Sequence, residues 1–416
     1  MPFWRAPSCA TAPWVSLDYK HLCSLSIAAG SLRNTLTWTQ TQPIRRMGSA
    51  ASFTCEGRNV HKRFVITLLK YGLGIGLLAW VIYRYWHGAD GTVGLAEALE
   101  KPIHVAPLCL AGMVCLLAVL LTFVRWYLLV RALGLPFAFG DALRLGLVGY
   151  FFNTLLPGSV GGDLVKAAYL VREQRRRTVA VATVLIDRAI GLCGLVWLAA
   201  ILGSAFWVSG QLHELAQTDV AETTLQAIVI GTVAIMAASL LSWLALGFLS
   251  NDRAERMAQK LGGVPKVGLA LAEFWRAVWM YRCRGRSIAV ALALAIIGHA
   301  GFVLVFFFAA QTLTAASEIP SLATHFLLVP VGMTIRAGFP APGGIGGAEY
   351  AFGKLYELLG SDAAYGMLGM LAYRVIEWAL GFGAYLVYLG MKPQLAAAGA
   401  ATVEPEQPVA GARATD

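Results

Sequence analysis

Asn153-Thr154-Leu155-Leu156-Pro157-Gly158-Ser159-Val160-Gly161-Gly162-Asp163 sets a run of helix breakers between segments that otherwise have the composition of membrane helices. The pattern returns as Pro342-Gly343-Gly344-Ile345-Gly346-Gly347-Ala348-Glu349. Both copies read Pro-Gly, a small residue, a β-branched aliphatic and Gly-Gly, with an acid directly after or one residue on. They stand 342 − 157 = 185 residues apart. Glycine and proline are the poorest helix formers, and a helix broken inside a bilayer exposes N–H and C=O groups where no water can satisfy them. One such run is an ordinary turn between helices. Two matched runs in corresponding places are a built feature.

Of the 416 residues 58% are hydrophobic and 13% charged, whereas a soluble domain carries about a quarter of its residues as charges. The chain is a polytopic membrane protein. Its net charge of +10 lies in short basic runs beside apolar segments, the distribution that orients membrane helices, so no nucleic-acid partner is expected. The seven cysteines include no C-x-x-C pair, and the seven histidines lack ligand spacing. No metal site and no cofactor follow from them.

Six segments are long enough to cross a hydrocarbon core of about 30 Å: 64–83, 105–124, 179–207, 225–249, 288–313 and 363–389. Between the second and third, and again between the fifth and sixth, lies an apolar stretch that is broken by the Pro/Gly motif and resumes as a more polar helix. The fold class is therefore all-α, with six full spans and two re-entrant broken helices; eight full spans is the alternative. Residues 1–61 are expected to be a disordered extension, with Met47 a second plausible start, and 392–416 a disordered tail. The membrane domain is 62–391, with repeats of about 62–207 and 225–391.

The stretch 208–224 carries three acids and no Lys or Arg, whereas 250–287 carries eight basic residues. The first is thus expected outside and the second inside, with both termini cytoplasmic. The first motif then enters from the cytoplasm and the second from outside. Three crossings per half is an odd number, so the halves form an inverted repeat, the architecture in which broken helices meet at a transporter's substrate site.

Asn153, Pro157, Gly158, Gly161, Gly162 and Asp163 of the first motif, and Pro342, Gly343, Gly344, Gly346, Gly347 and Glu349 of the second, are candidate substrate-binding residues. Glycine N–H groups and a helix N-terminus suit an anion, most simply a lipid phosphate. Acids in a first helical turn are equally ordinary caps. Asp187, Arg188, Arg374 and Glu377 lie inside spans, where a charge costs at least about 2.5 kcal/mol and requires a partner. The two arginines follow the motif acids at equal spacing, 188 − 163 = 25 and 374 − 349 = 25. Arg374 and Glu377 are placed to pair at i, i+3, while adjacent Asp187 and Arg188 need partners elsewhere, such as across the repeat axis. Lys166, Tyr169 and Arg172 follow the first motif on one helix, as headgroup guides or as a solvated face. Arg336 is a further candidate, Arg125 an interface anchor, and His299 and His325 packed or hydrogen-bonded histidines.

At these residues the chain resembles the transmembrane region of lysylphosphatidylglycerol synthase and the related stand-alone flippase-like integral membrane proteins, some of them hopanoid-associated. The resemblance covers about 62–391. It rests on the N-x-x-L-P-G-x-x-G-G-D string, the Asp187-Arg188-Ala189-Ile190-Gly191-Leu192 string, the second motif and Arg374. It implies a bacterial inner-membrane protein that moves a lipid with an anionic or aminoacylated headgroup between leaflets. In the full-length synthases a soluble aminoacyl-transferring domain follows the membrane region. Here 25 residues follow Met391, so synthase activity is not expected. The alternatives are a membrane-embedded enzyme using Asp163, Asp187 or Glu349 as general base, and a scaffold for a lipid-synthesising partner.

Overall fold

The computed structural model describes the backbone of residues 56–87, 93–155, 161–173, 177–216, 218–265 and 267–401. The chain divides between Phe64 and Val65, and the fold is that of the unit beginning at Val65. All regular structure among the described residues is helical: α1 (Glu56–Tyr85), α2 (Leu95–Glu100), α3 (Val105–Ala132), α4 (Phe139–Leu155), α5 (Gly161–Glu173), α6 (Arg177–Val208) and α7 (Gln211–Leu215), then α8 (Asp219–Gly247), α9 (Asn251–Gly262), α10 (Gly268–Tyr281), α11 (Gly285–Ala310), α12 (Leu322–Gly338), α13 (Gly347–Leu358) and α14 (Ala363–Ala401).

Helix length decides which elements cross. α3, α6, α8, α11 and α14 each hold an apolar stretch long enough to span a membrane. The first expected span falls in α1, whose side chains are described from Leu68 onward. α4 and α12 have 17 residues each, about 25 Å at 1.5 Å per residue, which is short of the hydrocarbon thickness. Each turns back through the shorter α5 or α13, as re-entrant helices do. Pro330 inside α12 removes a backbone donor mid-helix, a break that surrounding protein tolerates and lipid does not.

The inversion is visible in α3 and α11, the second spans of the two halves. The N–H of His104, just before α3, donates to Thr312 O, just after α11, at 2.8 Å. At the other end Leu129 of α3 packs with Ala291 and Ala295 of α11. Equivalent helices thus run antiparallel. The halves interlock as well: α4 packs on α14, and α12 on α6, while α5 and α13 stay against the last span of their own half. Within the membrane Trp197 Nε1 donates to Ser239 Oγ at 2.9 Å, joining α6 to α8 by a hydrogen bond that lipid cannot compete for.

Lys101, Glu318 and Tyr365 gather at the His104 end. Lys101 Nζ lies 2.7 Å from Glu318 Oε1 and 3.2 Å from the Tyr365 hydroxyl. The hydrogen bond from Lys101 holds the Glu318 carboxyl below its usual range, and the same contact raises Lys101. A depressed carboxyl contributes stability above its unfolded value, and that contribution is lost as pH falls through the folded value. The pair is partly exposed, so Glu318→Gln is expected to cost no more than about 1 kcal/mol at neutral pH. The difference between the two proteins should fade below about pH 4, the ordinary glutamate range. Unfolding midpoints at both pH values check this; a difference that grew on acidification would remove Glu318 as its source.

Candidate functional site

The second motif shows how the glycines are used. After α12 the backbone turns at Gly343, Gly344 and Gly346, with φ of 57°, 69° and 81°, a region in which a Cβ is strained. The N–H groups of Gly344 and Ile345 close the turn on Ala341 O and Pro342 O. That of Gly346 donates to Glu349 Oε2 at 2.7 Å, capping α13. These N–H groups do not form the expected anion cradle. What the motif presents is a carbonyl: Gly343 O accepts from Arg336 Nε and from Arg374 Nη1, each at 3.1 Å.

In the first motif residues 156–160 lie outside the described residues, and with them the Pro157 and Gly158 expectations. Where α4 and α5 cross, a Cβ on Gly162 would fall 1.8 Å from Gly149 O. Only glycine permits that approach. Gly162 N donates to Asn153 Oδ1 at 2.8 Å. By the offset of the helix starts, 322 − 139 = 183, Asn153 and Arg336 are equivalent positions. Both hold the backbone of their own motif.

The intramembrane charges pair as the inverted repeat requires, and differently from the local expectation. Arg188 Nε lies 3.0 Å from Asp163 Oδ2. Arg374 Nε donates to Glu349 Oε1 at 2.8 Å, with Nη2 2.6 Å from the same oxygen. The equal spacing of 25 residues is therefore one contact made twice, tying the return helix of each hairpin to the last span of its half. Arg374 does not pair with Glu377. Glu377 takes Arg336 from the facing helix through two bonds of 2.6 and 3.1 Å. Asp187 does not reach across the repeat axis but binds Arg125 of α3, at 2.7 and 3.2 Å. Nor is Arg125 an interface anchor, since it is buried.

These pairs wall a cavity of about 340 Å³ to which both repeats contribute. Asn153, Asp163, Lys166, Asp187 and Arg188 line it from the first half; Arg336, Gly343, Gly344, Arg374 and Glu377 line it from the second. Gly162, Pro342, Gly346, Gly347 and Glu349 stand behind the wall as packing or capping residues, and Gly161 opens α5. Tyr169 packs on the cluster around Trp126 and Leu170. Arg172 lies on α5, with its side chain outside the described set. His299, Tyr150 and Tyr373 also line the cavity; His299 Nε2 sits 2.9 Å from Gly191 O. His325 is packed and hydrogen-bonded as expected, to Tyr356 Oη at 2.6 Å and Ser321 O at 2.9 Å.

The two halves of the wall differ in access. The Arg188 and Asp163 side chains are 42% and 17% exposed, those of Arg374 and Glu349 4% and 1%.

A charged cavity at the junction of two inverted, helix-broken repeats defines the class, a multi-pass membrane protein whose two halves share one chamber. The family model of the lysylphosphatidylglycerol synthase TM region matches residues 67–384, and the chain belongs to that family. It is a membrane protein of lipid-related type. Neither a curated protein nor a solved structure matches it.

Proposed function

We propose that this protein carries a lipid across the bacterial inner membrane, its headgroup passing through the cavity while the acyl chains stay in the bilayer. One observation carries the reading. The cavity wall that holds ion-paired charge from both repeats also includes Leu192 and Trp378, which are 49% and 50% exposed on the flanks of two spans. A polar chamber that reaches a lipid-facing flank suits a molecule with a charged head and apolar tails. The unequal access of the two arginine–acid pairs is what one end state of an alternating-access cycle presents, with the first hairpin's site open and the second sealed. Each carboxylate facing the cavity is tied to a cation, which suits a binding surface better than a general base. On this reading the protein works without synthase chemistry and both termini lie in the cytoplasm, an orientation that the charge of its connecting loops supports.

The test is reconstitution in liposomes with a fluorescent phospholipid, following outer-leaflet accessibility. Arg188→Ala is expected to slow movement about tenfold or more, the worth of one charge-assisted contact, while the protein stays folded. Arg374→Ala is the poorer probe, because it strands Glu349 in a sealed site. No movement of any phospholipid by the unmutated protein would overturn the proposal.

A further inference from the structure

The charges of the cavity do not balance, and the imbalance has an address. Three arginines are matched one to one: Arg125 with Asp187, Arg336 with Glu377 and Arg374 with Glu349. Among the described residues of the cavity, Asp163 alone serves two cations. Its Oδ2 lies 3.0 Å from Arg188 Nε, and its Oδ1 3.8 Å from Lys166 Nζ. Among the described residues around the cavity this leaves one positive charge in excess, at the most accessible of the four sites. Among the described residues Arg188 Nη2 and Arg374 Nη2 are both buried without a hydrogen-bond partner. Arg374 Nη2, however, lies 2.6 Å from Glu349 Oε1, whereas the close ionic contact of Arg188 is made by its Nε. A guanidinium nitrogen with its donors unused, beside a lysine on a shared acid, has the chemistry to bind one further anionic oxygen. Lys166 cannot swing freely to fill the need, since it is held 5.2 Å from the Trp126 ring and 5.9 Å from that of Phe123.

Resting on the lipid-carrier reading, we infer that the occupant of this site is a phospholipid whose headgroup carries a single net negative charge on its phosphodiester. The phosphodiester sits between Arg188 and Lys166 beside Asp163 and completes the pairing of the cavity. A zwitterionic or aminoacylated headgroup brings its own cation into a site already one cation in excess, and is disfavoured by like charge. A phosphomonoester brings up to two negative charges where one is wanted. The same count predicts what Asp163 does. With its charge removed the surplus becomes two, and preference moves to the phosphomonoester.

The experiment titrates the purified full chain in an uncharged detergent with short-chain lipids of equal acyl length: phosphatidylglycerol, phosphatidylcholine, lysyl-phosphatidylglycerol and phosphatidic acid, with acyl-free glycerophosphoglycerol beside them. Phosphatidylglycerol is expected to bind about tenfold tighter than the choline and lysyl lipids. Arg188→Gln should level the three affinities, and Asp163→Asn should make phosphatidic acid the preferred ligand. Equal affinities in the unmutated protein, or an Asp163→Asn protein that still prefers the monoanion, would overturn the inference and leave the lipid carrier standing. Glycerophosphoglycerol binding as tightly as its lipid, or no lipid binding at all, would overturn the carrier reading and this inference with it.

Discussion

Glu349→Ala is expected to cost about 3–5 kcal/mol of stability, the usual penalty for removing one partner of a buried ion pair. Glu349 is 1% exposed and takes three contacts: Arg374 Nε and Nη2 on one carboxylate oxygen, and Gly346 N–H on the other. Alanine leaves the Arg374 guanidinium charged in a sealed pocket with Gly343 O as its remaining hydrogen-bonded partner. It also uncaps α13 directly after the turn through Gly343, Gly344 and Gly346. Since folded proteins are held by about 5–15 kcal/mol in all, this is a large share of the total and should lower the unfolding midpoint sharply. Glu349→Gln keeps an acceptor for Gly346 N–H while discarding the charge, and should fall between the two. Arg188→Ala, at the accessible equivalent pair, should cost no more than about 1 kcal/mol. Unfolding titrations of the three variants in mixed micelles rank them. Glu349→Ala with the stability of Arg188→Ala would mean that the second pair is as open to water as the first.

That contrast between equivalent pairs marks the limit of what the residues alone disclose. The breakers in both motifs, the intramembrane charges and the 25-residue spacing are legible because each is improbable in a helix meant only to span. The odd number of crossings gives the inversion. Which charges meet is another matter. Along one helix Arg374 and Glu377 stand at i, i+3, and nothing in the local pattern argues against their pairing. It is the return of α13 that brings Glu349 to Arg374, and the end of α12 that brings Arg336 to Glu377. Arg125 invites the wrong expectation for a related reason. The apolar run stops at Val124, so the arginine looks terminal, but the helix continues through Trp126 and Leu129 to Ala132. Arginine is a good helix former, and a charge with two further turns of apolar helix beyond it is an interior charge. His299 gave no signal beyond being alone in an apolar span. The glycines were legible as breakers, but their hydrogen bonds were not. A Gly-rich turn can aim N–H groups at an anion or close them on itself, and the choice depends on φ values that composition does not fix.

Gly346 carries the second large effect. Its φ of 81° is one that an L-residue adopts at a cost of about 1–2 kcal/mol. A Cβ there would also lie 2.7 Å from Gly74 O and 2.8 Å from Leu78 N, both backbone atoms of α1. Backbone cannot rotate away as a flexible side chain can, so α1 must shift or the turn must open, adding about 1–3 kcal/mol of overpacking. Gly346→Ala is therefore expected to destabilise by about 2–5 kcal/mol, the sum of these two contributions. It should also displace Glu349, whose carboxylate is anchored on the Gly346 N–H, and so weaken the Arg374 pair without touching either charged residue. Gly72→Ala and Gly76→Ala, on the same helix α1 with nothing within 4 Å of the added methyl, should leave stability unchanged or raise it, because alanine is the better helix former. The combination separates strain from charge. If Gly346→Ala and Glu349→Ala act through the same turn, their double variant should lose less than the two single losses added. Full additivity would show that the turn and the buried pair are held independently, and that α1 rather than α13 is what Gly346 accommodates.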